Sequence, residues 1–188
     1  PSSAYYSPDY VIDTLNAYAA LQNLDFVNPD KIGLWGHSMG GNIVLRSMVA
    51  KPDIPAAVVW AGSVFTYQDF IDYGIDDDSY QPPDPDSPRR QRRQKLFDTY
   101  GRFDLESSFW RQVSPLDYLS DIQGSIQLHH ATNDNVVNIE YSRNLFNLLQ
   151  QNNVNSEIYE YQQGGHNLVS PTFSNAMDRT VDFLNSQL

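Results

Sequence analysis

Ser38 stands in Gly36-His37-Ser38-Met39-Gly40, behind the short apolar run Lys31-Ile32-Gly33-Leu34-Trp35 and ahead of a helix-forming stretch that begins near Asn42. Strand, Gly-x-Ser-x-Gly and helix in that order make a nucleophile elbow, a strained turn that pushes a serine hydroxyl clear of a sheet. Gly36 and Gly40 are expected to keep side chains out of the places where strand and helix nearly touch. A serine is a poor nucleophile until a base takes its proton. The best-placed base is His166, in Gln163-Gly164-Gly165-His166-Asn167, and the best-placed orienting acid is Asp134, in Thr132-Asn133-Asp134-Asn135. Together they would perform acyl transfer. Ser38 attacks a carbonyl carbon, His166 carries the proton to the leaving group, and Asp134 holds the imidazole tautomer. The backbone N–H of Met39 is expected to donate one hydrogen bond to the oxyanion.

Each choice has rivals. Asp121 and Glu140 compete with Asp134, and His37, His129 and His130 compete with His166. Asp134 and His166 are preferred because each follows the carboxyl end of an expected strand, where ligands bind in open α/β sheets. His37 lies inside the elbow and points elsewhere. His129 and His130 end a strand and read as packing or supporting groups. As neighbours in a strand they face opposite sides, which argues against a shared metal. Trp35 and Trp60 read as core or pocket wall, and Tyr5 and Tyr6 are candidates to reach a substrate.

Four strands are expected to position these groups, at 31–36, 56–61, 125–130 and 156–161. Ala56-Ala57-Val58-Val59-Trp60-Ala61 is a continuous apolar run suited to burial on both faces of a parallel sheet, and the strand at 125–130 reads similarly. Between the strands lie helical patterns at about 8–23, 42–50, 138–150 and from Ser170-Pro171 onward. The first presents Val11, Leu15, Tyr18 and Ala19 on one face, and the last Phe173, Met177, Val181 and Leu184. Strands alternating with helices imply a wound, mostly parallel sheet with helices on both faces. Residues 64–118 interrupt the alternation. They contain Gln81-Pro82-Pro83-Asp84-Pro85-Asp86-Ser87-Pro88, which cannot be regular structure, and then a helix-prone segment from Arg89 to about Tyr100. The interruption is expected to be a cap or lid insertion within one domain spanning 1–188.

Bulk properties narrow the partners. The chain has 188 residues and a formal net charge of −11, which disfavours nucleic acid and anionic membrane surfaces. Five of the 12 Lys and Arg residues fall between Arg89 and Lys95, just after seven aspartates between Asp69 and Asp86. That juxtaposition reads as a solvated, self-compensating surface. Absence of cysteine excludes disulfides and thiolate metal sites. No apolar run approaches the roughly 20 residues that span a bilayer. The triad needs no metal or organic cofactor.

The chain order Ser, Asp, His is that of α/β-hydrolases. The chain resembles the C-terminal part of the catalytic domain of prolyl oligopeptidase and acylaminoacyl-peptidase enzymes. The resemblance rests on the stretches 28–41, 114–119, 128–136 and 161–166, and covers most of the chain outside 64–113. Family members usually carry Gly where this chain has Ala131, and Pro where it has Gly124 and Asn138. The resemblance also implies further strands and the loop supplying the second oxyanion donor ahead of Tyr5, and these are not in this sequence. The expectation is therefore a C-terminal half of an α/β-hydrolase fold, belonging to a larger polypeptide or complex. Ile32 and Leu34 would lie on an unpaired sheet edge, open to the missing N-terminal segment or to self-association. The leading functional expectation is a serine hydrolase of small carboxylic esters. The alternatives are a peptidase of the same mechanism acting on short peptides, and an inactive half-domain that needs its N-terminal part.

Overall fold

A computed structural model describes residues 8–75, 86–102, 104 and 106–188. Tyr5, Tyr6 and the proline-rich run at 81–85 lie outside the described residues. Four parallel strands form one sheet in the order β1-β2-β3-β4: β1 (Leu34–His37), β2 (Ala56–Trp60), β3 (Ser125–Ala131) and β4 (Ser156–Tyr161). All three pairings are parallel, so every strand delivers its carboxyl end to the same edge of the sheet.

The helices divide between two faces because the strand side chains alternate. Ala57, Val59, Ile126 and Leu128 point into the larger core, against α1 (Asp9–Gln22), α2 (Met39–Ala50) and α6 (Glu140–Gln151), which contribute Tyr18, Leu45, Met48, Leu145 and Leu149. Ala56, Val58, Trp60, Ala131 and Tyr161 point the other way, onto Ala176 and Phe183 of α7 (Thr172–Gln187). β2 is buried along its whole length, as its apolar run required. β3 is just as buried but not as apolar. Ser125, Gln127 and His129 face α7 and are satisfied by hydrogen bonds instead.

Several sequence expectations need correction. The strand expected at 31–36 begins at Leu34, and Ile32 sits before it in the core, where its carbonyl accepts the Tyr18 hydroxyl. The helix expected from Asn42 starts at Met39, directly after the serine. On α7 the buried stripe is Thr172, Ala176, Thr180 and Phe183, while Phe173 and Val181 are largely exposed. Thr180 is polar yet buried, because its hydroxyl accepts the Trp60 indole N–H. Ala19 is exposed, so α1 buries a narrower face than expected.

Between β2 and β3 run α3 (Tyr67–Tyr73), α4 (Pro88–Tyr100), α5 (Ser108–Val113) and a 3₁₀ segment, Pro115–Asp121. A capping box between Thr66 and Asp69 starts α3. Asp69 also accepts a hydrogen bond from Asn144 of α6, and Tyr141 of α6 donates to the Gly74 carbonyl. Ile75 forms an antiparallel bridge with Val137, so α3 ends against the turn that carries Asp134.

Candidate active site

The chain leaves β1 through Ser38, whose backbone adopts φ 54° and ψ −120°. Positive φ strains a residue with a Cβ, at about 1–3 kcal/mol. Neighbouring backbone holds it in place. Ser38 N–H donates to Trp60 O (2.9 Å), and Ser38 O accepts from Gly41 N (3.0 Å) and Ser63 N (3.1 Å). The turn exists because Gly36 has no side chain: a Cβ there would sit 2.5 Å from the Gly40 carbonyl oxygen and 2.8 Å from Val44. Gly40 does not have the steric role expected of it. A Cβ on Gly40 would meet nothing within 4 Å, whereas one on Gly41 would lie 2.6 Å from Val59. The helix's close approach to the sheet thus depends on Gly36 and Gly41. Met39 is the first residue of α2, so its N–H is among the donors that a helix N-terminus leaves unpaired within the helix.

Asp134 follows β3 in a turn folded around its own carboxylate. Oδ1 accepts the N–H groups of Val136 (2.8 Å) and Val137 (3.0 Å). Oδ2 accepts from His166 Nδ1 (2.8 Å) and faces His130 Nε2 (3.1 Å). The Asp134 side chain has no exposed surface. Burial by itself would raise its pKa, but the donors from His130, His166, Val137 and Val136 outweigh burial and hold the carboxyl well below the usual carboxylate range.

His166 follows β4 in a loop whose Gly164 and Gly165 both take positive φ, 123° and 56°. Two bonds fix that loop to the rest of the site. Gly165 N–H donates to the Asn133 side chain (2.9 Å), and His37 Nε2 lies 2.8 Å from the His166 carbonyl oxygen. A carbonyl only accepts, so His37 Nε2 carries the hydrogen. Burial lowers the pKa of His37. His37 therefore serves as a brace for the His166 loop. The expectation that His37 points elsewhere is thus corrected, and its place next to Ser38 is the available sequence signal.

Ser38 and His166 line one cleft of about 570 Å³, with Asn135, Val136, Asn167 and Val169 around them. Of the rivals, His37 and His130 lie within the site, on the His166 carbonyl oxygen and on Asp134, while the others lie elsewhere. Glu140 is engaged by Arg143, and Asp121 is exposed at the end of the 3₁₀ segment. His129 is buried on the α7 side against Tyr161 and Gln127. Trp60 is core, but Trp35 is half exposed and touches Trp60 edge-on.

A parallel sheet, an elbow serine after β1, and an Asp–His pair on the loops after β3 and β4 along the same edge define an α/β-hydrolase domain. The prolyl oligopeptidase family profile matches residues 8–188, and the chain belongs to that family. Its structure is similar to Porphyromonas gingivalis dipeptidyl peptidase 4 (TM-score 0.69, 21% identity, covering 95% of this chain and 23% of that one). It is also similar to Pyrococcus horikoshii acylaminoacyl peptidase (0.68, 19%, covering 95% and 27%). A third likeness is acetyl xylan esterase 1 from Thermoanaerobacterium (0.59, 18%, covering 92% and 51%). The chain thus spans about a quarter of the length of the two peptidases. No curated protein matches it.

Proposed function

We propose that this chain carries the acyl-transfer centre of a serine hydrolase, with Ser38 as nucleophile, His166 as general base and acid, and Asp134 as the orienting carboxylate. The observation that carries the reading is the 2.8 Å bond from His166 Nδ1 to a buried, ionised Asp134, in a cleft that also holds the strained Ser38. With Nδ1 committed to Asp134, Nε2 is the nitrogen left to take the serine proton. Ser38 Oγ adds to the substrate carbonyl, and the Met39 N–H supports the resulting oxyanion. His166 then protonates the leaving group as its bond to the acyl carbon breaks. A water molecule, deprotonated by the same nitrogen, releases the acid and restores Ser38.

The substrate we propose first is a small carboxylic ester. Family membership favours a second reading, cleavage of a short peptide by the same steps. We read α3 to α5 as a cap over one side of the site, because α3 leans on the Asp134 turn. We read β1, which pairs with β2 alone among the described residues and presents Trp35, as the docking edge for another segment of the protein or a second copy. The test is fluorophosphonate labelling of the full-length protein followed by intact-mass measurement, with Ser38→Ala as control. A single adduct lost in the variant supports the reading, and an adduct retained in Ser38→Ala overturns it. Rates on p-nitrophenyl butyrate against an aminoacyl-anilide then separate esterase from peptidase.

A further inference from the structure

The chemistry above leaves the buried imidazole beside Asp134 without a task. His130 has no exposed side-chain surface, and neither has the Asp134 carboxylate it faces. Its Nε2 lies 3.1 Å from Asp134 Oδ2 and 2.9 Å from the Val137 carbonyl oxygen. Both are acceptors, so Nε2 bears the hydrogen. Its Nδ1 lies 2.7 Å from the Ser142 hydroxyl of α6, which fixes the ring from the opposite side. Asp134 thus receives four donors, two backbone N–H groups on Oδ1 and two imidazoles sharing Oδ2.

We propose that His130 is a positioning residue for the hydrolysis: its Nε2–H, aimed by Ser142, pins Oδ2 of Asp134 and draws off part of the negative charge that the carboxylate presents to His166. The inference rests on the triad reading above. Two donors on one oxygen fix the direction of the carboxylate more tightly than either does alone. They also divide its charge in a place where water does not screen it.

Among the described residues, the neighbouring charges have partners of their own. Glu160 of β4 lies opposite His130 in the β3–β4 register and is paired with Arg143 of α6. Glu140 is bound to the same arginine. His37, on the elbow side, is engaged with the His166 carbonyl oxygen. Asp134 is therefore the carboxylate whose charge His130 is placed to adjust.

The test uses the full-length protein with His130→Leu, His130→Gln and Ser142→Ala, reading kcat, KM and the pH dependence of kcat/KM on a p-nitrophenyl ester. Active sites are counted by fluorophosphonate titration, so that loss of folded protein is not mistaken for slower chemistry. In His130→Leu the undivided charge of Asp134 favours protonated His166. The acid limb of the profile should then rise by about one pH unit. Its kcat per titrated site should fall about tenfold, with KM within about twofold of the parent. His130→Gln restores an N–H donor and should recover most of both effects. Ser142→Ala, which leaves the backbone and packing nearly intact, should move the limb the same way by less, and keeps the test open should His130→Leu fail to fold. Unmoved acid limbs in the folded variants, or Gln no better than Leu, overturn the role of His130 while Ser38→Ala remains inactive. A parent protein with no Ser38-dependent labelling overturns the triad reading and this inference with it.

Discussion

His129 and His130 are the same residue type, adjacent in one strand and equally inaccessible, yet they lie in two different environments. His129 faces α7 and is held by neutral groups. Its Nδ1 meets the Tyr161 hydroxyl at 2.8 Å, its Nε2 meets Gln127 Oε1 at 2.6 Å, and Thr180 is near. Burial, with the Arg179 charge adding to it, pushes its pKa down to about 3. His130 faces α6 and a carboxylate. One imidazole satisfies a buried polar layer, and the other borders the carboxylate that holds His166. Composition and burial do not distinguish them; the identity of the nearest anion does.

The contrast can be broken from either side. The largest effect is expected on the α6 side of the site, where Ser38→Ala should lower kcat by on the order of 10⁶ in single-turnover and steady-state assays. Asp134→Asn should follow at about 10⁴, because an amide offers His166 a neutral acceptor and the wrong tautomer. The tenfold effect of His130→Leu comes next, as set out above.

On the α7 side the expected effects concern stability alone. The pKa of His129 is depressed on folding, so between about pH 6.5 and pH 3 the unfolded chain binds a proton that the folded chain refuses. Stability is therefore fully present above about pH 6.5 and falls as the pH drops, by on the order of 4 kcal/mol at pH 3. Denaturant midpoints measured across this range should show that slope in the parent and a flatter one in His129→Gln, while the acid limb of kcat/KM stays in place. The smallest effect is expected from Thr180→Val, which removes the acceptor of the Trp60 indole N–H and should cost about 1–3 kcal/mol at unchanged kcat. A shifted acid limb in His129→Gln would collapse the distinction between the two histidines.

Much of this arrangement was legible beforehand, for a physical reason. The apolar run 56–61 admits few structures other than a doubly buried strand, and the elbow motif encodes its turn locally through Gly36. Asp134 and His166 were legible because parallel strands all empty onto one edge, so loops after successive strands must converge. Less legible were α7 and the glycines of the elbow. Thr172 and Thr180 are polar in sequence and buried in fact, since their hydroxyls find Gln163 O and the Trp60 indole. The elbow's second close contact falls on Gly41, not Gly40, because Val59 of β2 lies beneath that position.

By itself, then, the sequence determined the elements and the residue types, a strand-turn-serine-helix with an aspartate and a histidine on later loops, since local sterics and hydrophobic periodicity act over a few residues. Only the tertiary structure decided which polar groups share a carboxylate, which histidine braces the His166 loop, and which glycines bear close contacts. Those outcomes depend on distances of about 3 Å between residues up to 129 apart in the chain, such as His37 and the His166 carbonyl, and no local pattern encodes them.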